Sequence, residues 1–226
     1  AQGELTTKAQ LQYAGPRRPR EALFDTQSDP MQLDNLARDP AHRGRLAKMR
    51  TLLYNWILEK RDVEFLPETE REKRCKAHNK TPYELAHDAA LYPLERIFKA
   101  ADLVGRTDAA SLSQQIALLG DSEPAVRYWA AMGIHAATEK TEATKQALGK
   151  VLGDPSEMVR IEAAAALCQT ADDSEALTVL SKELQNENLQ AALYAARQLE
   201  LLGEKARPVL PVMQKVLKRA AGGDRK

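Results

Sequence analysis

Several shortages narrow what this 226-residue chain can be. It holds only two cysteines, Cys75 and Cys168, too few for a disulfide framework or a zinc cluster. One bridge is arithmetically open to them, but Cys168 closes an apolar helical run and is expected to pack as a small hydrophobe. The four histidines, His42, His78, His87 and His135, are scattered without metal-ligand spacing. No apolar run approaches the ~18 residues of a membrane-spanning helix, and no signal peptide or targeting motif is visible, so no membrane partner is expected. The first residue is Ala, not Met, from which a native start further upstream is expected. Net charge is also missing: 33 basic residues stand against 32 acidic ones. Residues 1–80 carry 16 Lys/Arg and 12 Asp/Glu, whereas 81–226 carry 17 and 20. Neither half has the concentrated positive face that nucleic acid requires.

What is present is a hydrophobic fraction of 43%, enough to bury a core, and one short phrase written three times. It reads DSEPAVRYWAAMGI from Asp121, DPSEMVRIEAAAAL from Asp154 and, more loosely, NENLQAALYAARQL from Asn186, at spacings of 33 and 32 residues. In this frame Val126, Val159 and Ala191 fall together, as do Ala130, Ala163 and Ala195, Ala131, Ala164 and Ala196, and Ile134, Leu167 and Leu199. A second row, Leu119, Leu152, Leu184 and Leu217, lies just upstream of the copies or, for Leu217, after the last. Two apolar segments per period of about 30–45 residues, joined by Gly, Asp or Pro, mark stacked helix pairs. The small alanines allow close helix approach while branched residues interdigitate around them.

An acidic turn residue followed five and six positions later by Val-Arg, then by an Ala pair, resembles the HEAT family. Asp121, Val126 and Arg127 and then Asp154, Val159 and Arg160 carry the resemblance; Asn186, Ala191 and Ala192 replace them in the third copy. The expected fold is all-α: a HEAT-like α-solenoid preceded by a mostly irregular and helical segment with at most one or two short strands.

Towards the N-terminus a short helix is expected near Thr7 to Tyr13, closed by Gly15-Pro16. Leu23 and Phe24, flanked by charges, suit a short strand, and Asp25 to Asp29 a turn. A lone strand has no partner here, so residues 1 to about 20 are expected to be loosely packed or mobile. Asp29-Pro30-Met31-Gln32 has the form of a capping box, and Asp39-Pro40 opens a further helix. In that helix Leu46, Met49, Leu53 and Trp56 recur as one apolar stripe among Arg43, Arg45, Lys48 and Arg50.

The stretch from Arg18 to Ala37 resembles the C-terminal end of type I sulfatases of the alkaline phosphatase superfamily. There a last strand of the form E-L-Y-D-L precedes D-P-x-E-x-x-N-L-A; here Glu21, Leu23, Phe24, Asp25, Asp29, Pro30, Asn35, Leu36 and Ala37 match. Phe24 stands for Tyr, and Gln32 for the usual Glu. The lead LTTKAQLQYAGPRRP and the Trp56 helix with Asp62 to Glu68 extend the resemblance over about residues 5–68, and some sulfatase-like bacterial proteins continue into HEAT repeats. The resemblance implies an upstream sulfatase catalytic domain as partner, with calcium and formylglycine in that parent enzyme, in a periplasmic or secreted setting. It brings no active site into this chain. Such sulfatases carry Cys or Ser followed by x-P-x-R, and Cys75-Lys-Ala-His and Cys168-Gln-Thr-Ala do not fit. No catalytic residue, metal or cofactor is expected in this chain.

The implied division is 1–66 as the remnant of a sulfatase domain, 67–80 as a charged linker or solvated helix, 81–220 as solenoid and 221–226 as a disordered tail. Thr81-Pro82-Tyr83-Glu84 and the amphipathic Pro93 to Val104 are expected to form an atypical first pair that caps the array. On the concave face, Arg127 and Arg160 offer a guanidinium ladder for sulfate or an anionic sugar, or else bond the acidic turn residue of their own or the next repeat. Trp129 and Tyr194 share one repeat position with Glu162 between them, as a platform for a sugar or as packing. The function readings are a non-catalytic C-terminal part of a sulfatase, contacting protein or sulfated carbohydrate, and a free-standing HEAT adaptor that binds protein.

Overall fold

A computed structural model describes residues 7–15, 18–106, 108–137, 140–170 and 173–222. The chain divides into two compact units, Ala1–Lys60 and Arg61–Lys226. Among the described residues there is no strand.

In the first unit, helix α1 (Lys8–Ala14) starts at a capping box in which Thr7 and Gln10 satisfy each other's backbone N–H groups. It buries no residue. The rest of the expectation for residues 1–20, at 1–6 and 16–17, lies outside the described residues. The expected strand at Leu23 and Phe24 does not form, because one side chain supplies the bonds that a neighbouring strand would have made. Asn35 Oδ1 accepts from the Leu23 N–H at 3.0 Å and its Nδ2 donates to the Glu21 carbonyl at 3.0 Å, while the Leu36 N–H donates to the Leu23 carbonyl at 2.8 Å. Nor does Asp29-Pro30 open a helix: Gln32 has φ +55°, and the Asp29 carboxylate caps a turn by accepting from the Asp34 N–H at 2.8 Å. Asp39 does cap as expected, bonding the Ala41 N–H at 2.8 Å and leading through the turn Pro40–His42 into α2 (Arg43–Lys60). In α2 only Leu46 and Ile57 are buried, and Met49, Leu52, Leu53 and Trp56 are more than half exposed.

In the second unit, three helix pairs follow one another: α6 (Ala109–Leu118) with α7 (Pro124–Ala136), α8 (Glu142–Lys150) with α9 (Glu157–Thr170), and α10 (Ser174–Glu183) with α11 (Leu189–Leu202). A 3-10 turn, Gly203–Val209, leads into the last helix, α12 (Leu210–Ala221). The rows read from the sequence form most of the core, with Ala131 and Ala164 fully buried but Ala196 only partly so. Val126, Val159, Ala191, Ala130, Ala163 and Ala195 are fully buried, and Ile134, Leu167 and Leu199 nearly so. In the leucine row Leu119, Leu152 and Leu184 are buried, but Leu217, on the last described helix, is 68% exposed. Helix α9 is enclosed, with Met158 to Cys168 buried except at Arg160, as a helix packed by neighbours on several sides must be. Gly133 lets α7 approach Gln115 of α6: a Cβ there would come within 2.5 Å of the buried amide.

The array is capped by α4 (Pro82–Ala86), which begins at the Thr81/Glu84 capping box, and α5 (Leu94–Ala101). Leu85, Tyr92, Leu94 and Ile97 are buried in this cap, and Phe65 stacks edge-on to Phe98 at 5.0 Å. Tyr92 is fully buried and bonds the Asp62 carbonyl, so it serves packing, whereas His87 is exposed and bonds the Tyr83 carbonyl of its own helix at 2.8 Å. The charged run after Pro67 forms helix α3 (Glu68–His78), ended by Asn79 at φ +49°. It is not a solvated spacer: it lies against the repeats, with Thr69 and Glu70 buried. Of the expected tail 221–226, residues 223–226 lie outside the described residues.

Candidate functional site

The face made by the second helices, α7, α9 and α11, is built from a repeated turn. Asp121 accepts from the Glu123 N–H at 2.7 Å, Asp154 from the Ser156 N–H at 2.8 Å and Asn186 from the Asn188 N–H at 2.9 Å. Asn can replace Asp at this place because the turn needs only a side-chain oxygen two residues before an N–H.

A ladder of guanidiniums connects the repeats. Arg127 bonds the Asp121 carbonyl of its own turn at 2.8 Å and grips both oxygens of Asp154 in the next turn at 2.7 and 2.8 Å. The bond to Asp154 holds Arg127 above its ordinary pKa, firmly charged. Arg160 repeats the pattern with the Asp154 carbonyl at 2.6 Å, but the next turn offers Asn186, which is uncharged. Glu183 takes the carboxylate role instead, accepting from Arg160 at 2.7 Å and from the Asn186 amide at 2.7 Å. At the cap, Arg96 reaches Asp121 at 2.5 Å in the same sense. Glu183 was not singled out by the repeat register, since it precedes the phrase that repeats.

Of Trp129, Glu162 and Tyr194, which share one repeat position, Glu162 and Tyr194 meet, while Trp129 reaches Tyr194 only through the Tyr128 ring. The Trp129 indole N–H donates to the Phe65 carbonyl at 2.7 Å and its ring lies edge-on to Tyr128 at 5.3 Å. Tyr194 donates to Glu162 Oε2 at 2.5 Å, and His135 Nδ1 lies 2.5 Å from Glu162 Oε1. Burial, followed by the charge of Glu162, pushes the Tyr194 hydroxyl far above its ordinary pKa; the same two causes act on Tyr128. Both phenols therefore remain protonated donors across the physiological range. His135 Nε2 is buried without a hydrogen-bond partner.

Helix α3 crosses the N-terminal ends of these helices. Glu70 accepts from the Ser156 hydroxyl at 2.7 Å, Lys73 pairs with Glu157, and Arg74 pairs with Glu123 while bonding the Leu91 carbonyl at 2.6 Å. Two cavities flank it. One of about 270 Å³ lies between Glu68 and the Tyr128, Trp129 and Met158 side chains. The other, about 250 Å³, lies between Thr69 and Met158, Leu193, Tyr194 and Arg197. An open groove of about 1010 Å³ runs beside α5 and α6, but its charges are engaged locally, Arg96 with Asp121 and Lys99 with Glu95. The α3 contacts escaped sequence reasoning because they are made by charged side chains, about which a hydrophobic period is silent.

Among the described residues no three His, Cys, Asp or Glu side chains converge into a candidate metal site. Both cysteines are free, Cys168 buried and Cys75 half-buried, and neither precedes x-P-x-R, as formylglycine formation would require. No described helix is long and apolar enough to cross a membrane.

Comparison with known proteins agrees with the repeat geometry. Residues 112–200 match the family described as HEAT repeats. An ulvan-active sulfatase of Formosa agariphila is 39% identical over 70 residues, a stretch that is 31% of this chain and 12% of that protein. The chain thus spans about an eighth of the curated relative it matches. No solved structure matches. The second unit carries HEAT repeats in an all-α, HEAT-like solenoid.

Proposed function

We propose that this chain is the non-catalytic C-terminal part of a sulfatase, a sulfuric ester hydrolase, with the HEAT array as an extension for contact with substrate or protein. The observation that carries the reading is the 39% identity over 70 residues with an ulvan-active sulfatase. The first unit supports it physically. Helix α2 buries only two of its apolar side chains, and Met49, Leu52, Leu53 and Trp56 form a half-exposed stripe suited to an upstream catalytic domain. Calcium and formylglycine belong to that domain, and the setting is periplasmic or secreted. On the repeats, sulfated carbohydrate would meet Arg127 and Arg160 only after displacing Asp154 and Glu183, while Trp129 and Tyr194 border the cavities beside α3. Protein is therefore the better-supported partner of this face.

The test is to read the coding sequence upstream of Ala1. A Cys or Ser followed by x-P-x-R a few hundred codons earlier in the same frame supports the proposal. A start codon immediately upstream, with no such motif, overturns it in favour of a free-standing HEAT adaptor.

A further inference from the structure

Helix α3 differs from every other contact on the repeats. The repeats are held to one another by buried alanines, leucines and branched side chains, whereas α3 buries only Thr69 and Glu70. The rest of its hold is polar: Glu70 on the Ser156 hydroxyl, Arg74 on Glu123 and the Leu91 carbonyl, and Lys73, about half exposed, on Glu157. The Thr69 hydroxyl is buried without a partner, and beside the two flanking cavities Trp129, Leu193 and Tyr194 are incompletely covered. An unfilled contact gap forfeits dispersion energy, and an orphaned hydroxyl carries a desolvation penalty. The ends of the strap, in contrast, are fastened: Leu66 is buried before it and Arg61 bonds the Ala86 and Tyr92 carbonyls. Asn79, in the left-handed region, terminates the helix at a turn.

Such a segment, held by polar contacts and not by an apolar core, owes part of its hold to the high effective concentration of a short tether, about millimolar. Beneath it lie the carboxylates of Glu123 and Glu157, near the half-buried Trp129 ring and the buried Met158, an acidic face complementary to a helix that carries Lys and Arg.

We propose that α3 is a displaceable internal ligand of the α7–α9–α11 face, and that its place is taken by a partner protein's helix bearing a carboxylate followed one turn later by a Lys-Arg pair. The proposal is independent of the sulfatase reading, since it rests on contacts within the second unit alone. While α3 is closed, the competent face is only fractionally populated, and trans affinity is reduced by that fraction.

The test uses the full chain and a fluorescent synthetic peptide of residues 66–80. The wild-type chain is expected to bind the peptide weakly. A Lys73→Glu, Arg74→Glu chain, whose own strap is repelled, is expected to bind it at least tenfold tighter, and adding Glu123→Lys should remove the gain. Hydrogen exchange on the wild-type chain provides a second readout that needs no variant: α3 amides should exchange at least tenfold faster than those of α9. Unchanged peptide affinity in the double variant, or α3 amides that exchange only together with α9, would overturn the proposal. So would an opened face that prefers a sulfated oligosaccharide to the peptide.

Discussion

Arg127 grips both carboxylate oxygens of Asp154, 27 residues further along the chain, and so ties the turn of one repeat to the turn of the next. Both side chains are largely withdrawn from water, 12% and 6% exposed. Removing one partner of a buried pair strands the other, a loss of roughly 3–5 kcal/mol in the general case. Asp154 keeps its bond to the Ser156 N–H, so Arg127→Ala should fall near the lower end, about 3 kcal/mol. The exposed pair Arg197 and Glu200 provides the contrast, and Arg197→Ala should change stability by less than ~1 kcal/mol. Urea denaturation of the two variants measures the difference; equal losses would mean that the ladder does not couple repeats.

Two glycines in helices should respond to alanine with opposite sign. Gly149 in α8 has open space around it, so Gly149→Ala should stabilise by up to ~1 kcal/mol through helix propensity. At Gly133 the new methyl would meet the Gln115 amide at 2.5 Å, and that amide is fully buried and bonded to the Leu103 carbonyl at 2.8 Å. Overpacking costs typically ~1–3 kcal/mol, which outweighs the propensity gain. Gly133→Ala should therefore lower the midpoint of thermal unfolding while Gly149→Ala raises it.

The thiols should separate by reactivity and by pH. Burial pushes Cys168 up to about 11, so at pH 8 only ~0.1% of it is the reactive thiolate. A disulfide reagent on the native chain should label the half-buried Cys75 promptly and Cys168 only on unfolding. Because the raised value favours the neutral thiol in the fold, its stabilising contribution is complete below pH ~9 and declines as pH rises towards 11. Cys168→Ala should flatten that part of the stability profile, and equal labelling rates for the two thiols would contradict the burial.

The repeats were legible because one period governs both sequence and packing: each residue of the Val126, Val159, Ala191 row meets the same neighbours, so small apolar side chains recur. Elements fixed by single side chains were not. Leu23 and Phe24 carry strand propensity, yet whether they pair depends on Asn35, twelve residues from Leu23, turning its amide back onto the chain. Asp29 and Gln32 have the letters of a capping box, but Gln32 adopts φ +55° and only a turn is capped. At the candidate site the position shared by Trp129, Glu162 and Tyr194 was visible, whereas Glu162 as the acceptor joining Tyr194 and His135 needed the third dimension.

The account rests on residues of the second unit acting as one coupled array, and the leucine row tests this most directly. Leu152 is buried between neighbouring repeats, and Leu217 of the same row is 68% exposed. Truncating a buried Leu costs ~2–5 kcal/mol, and in a quasi-one-dimensional array a central defect also uncouples the repeats on either side. Urea melts followed by circular dichroism should show Leu152→Ala lowering the midpoint much more than Leu217→Ala, or splitting one transition into two. Equal effects of the two substitutions would contradict the register and the coupling built on it.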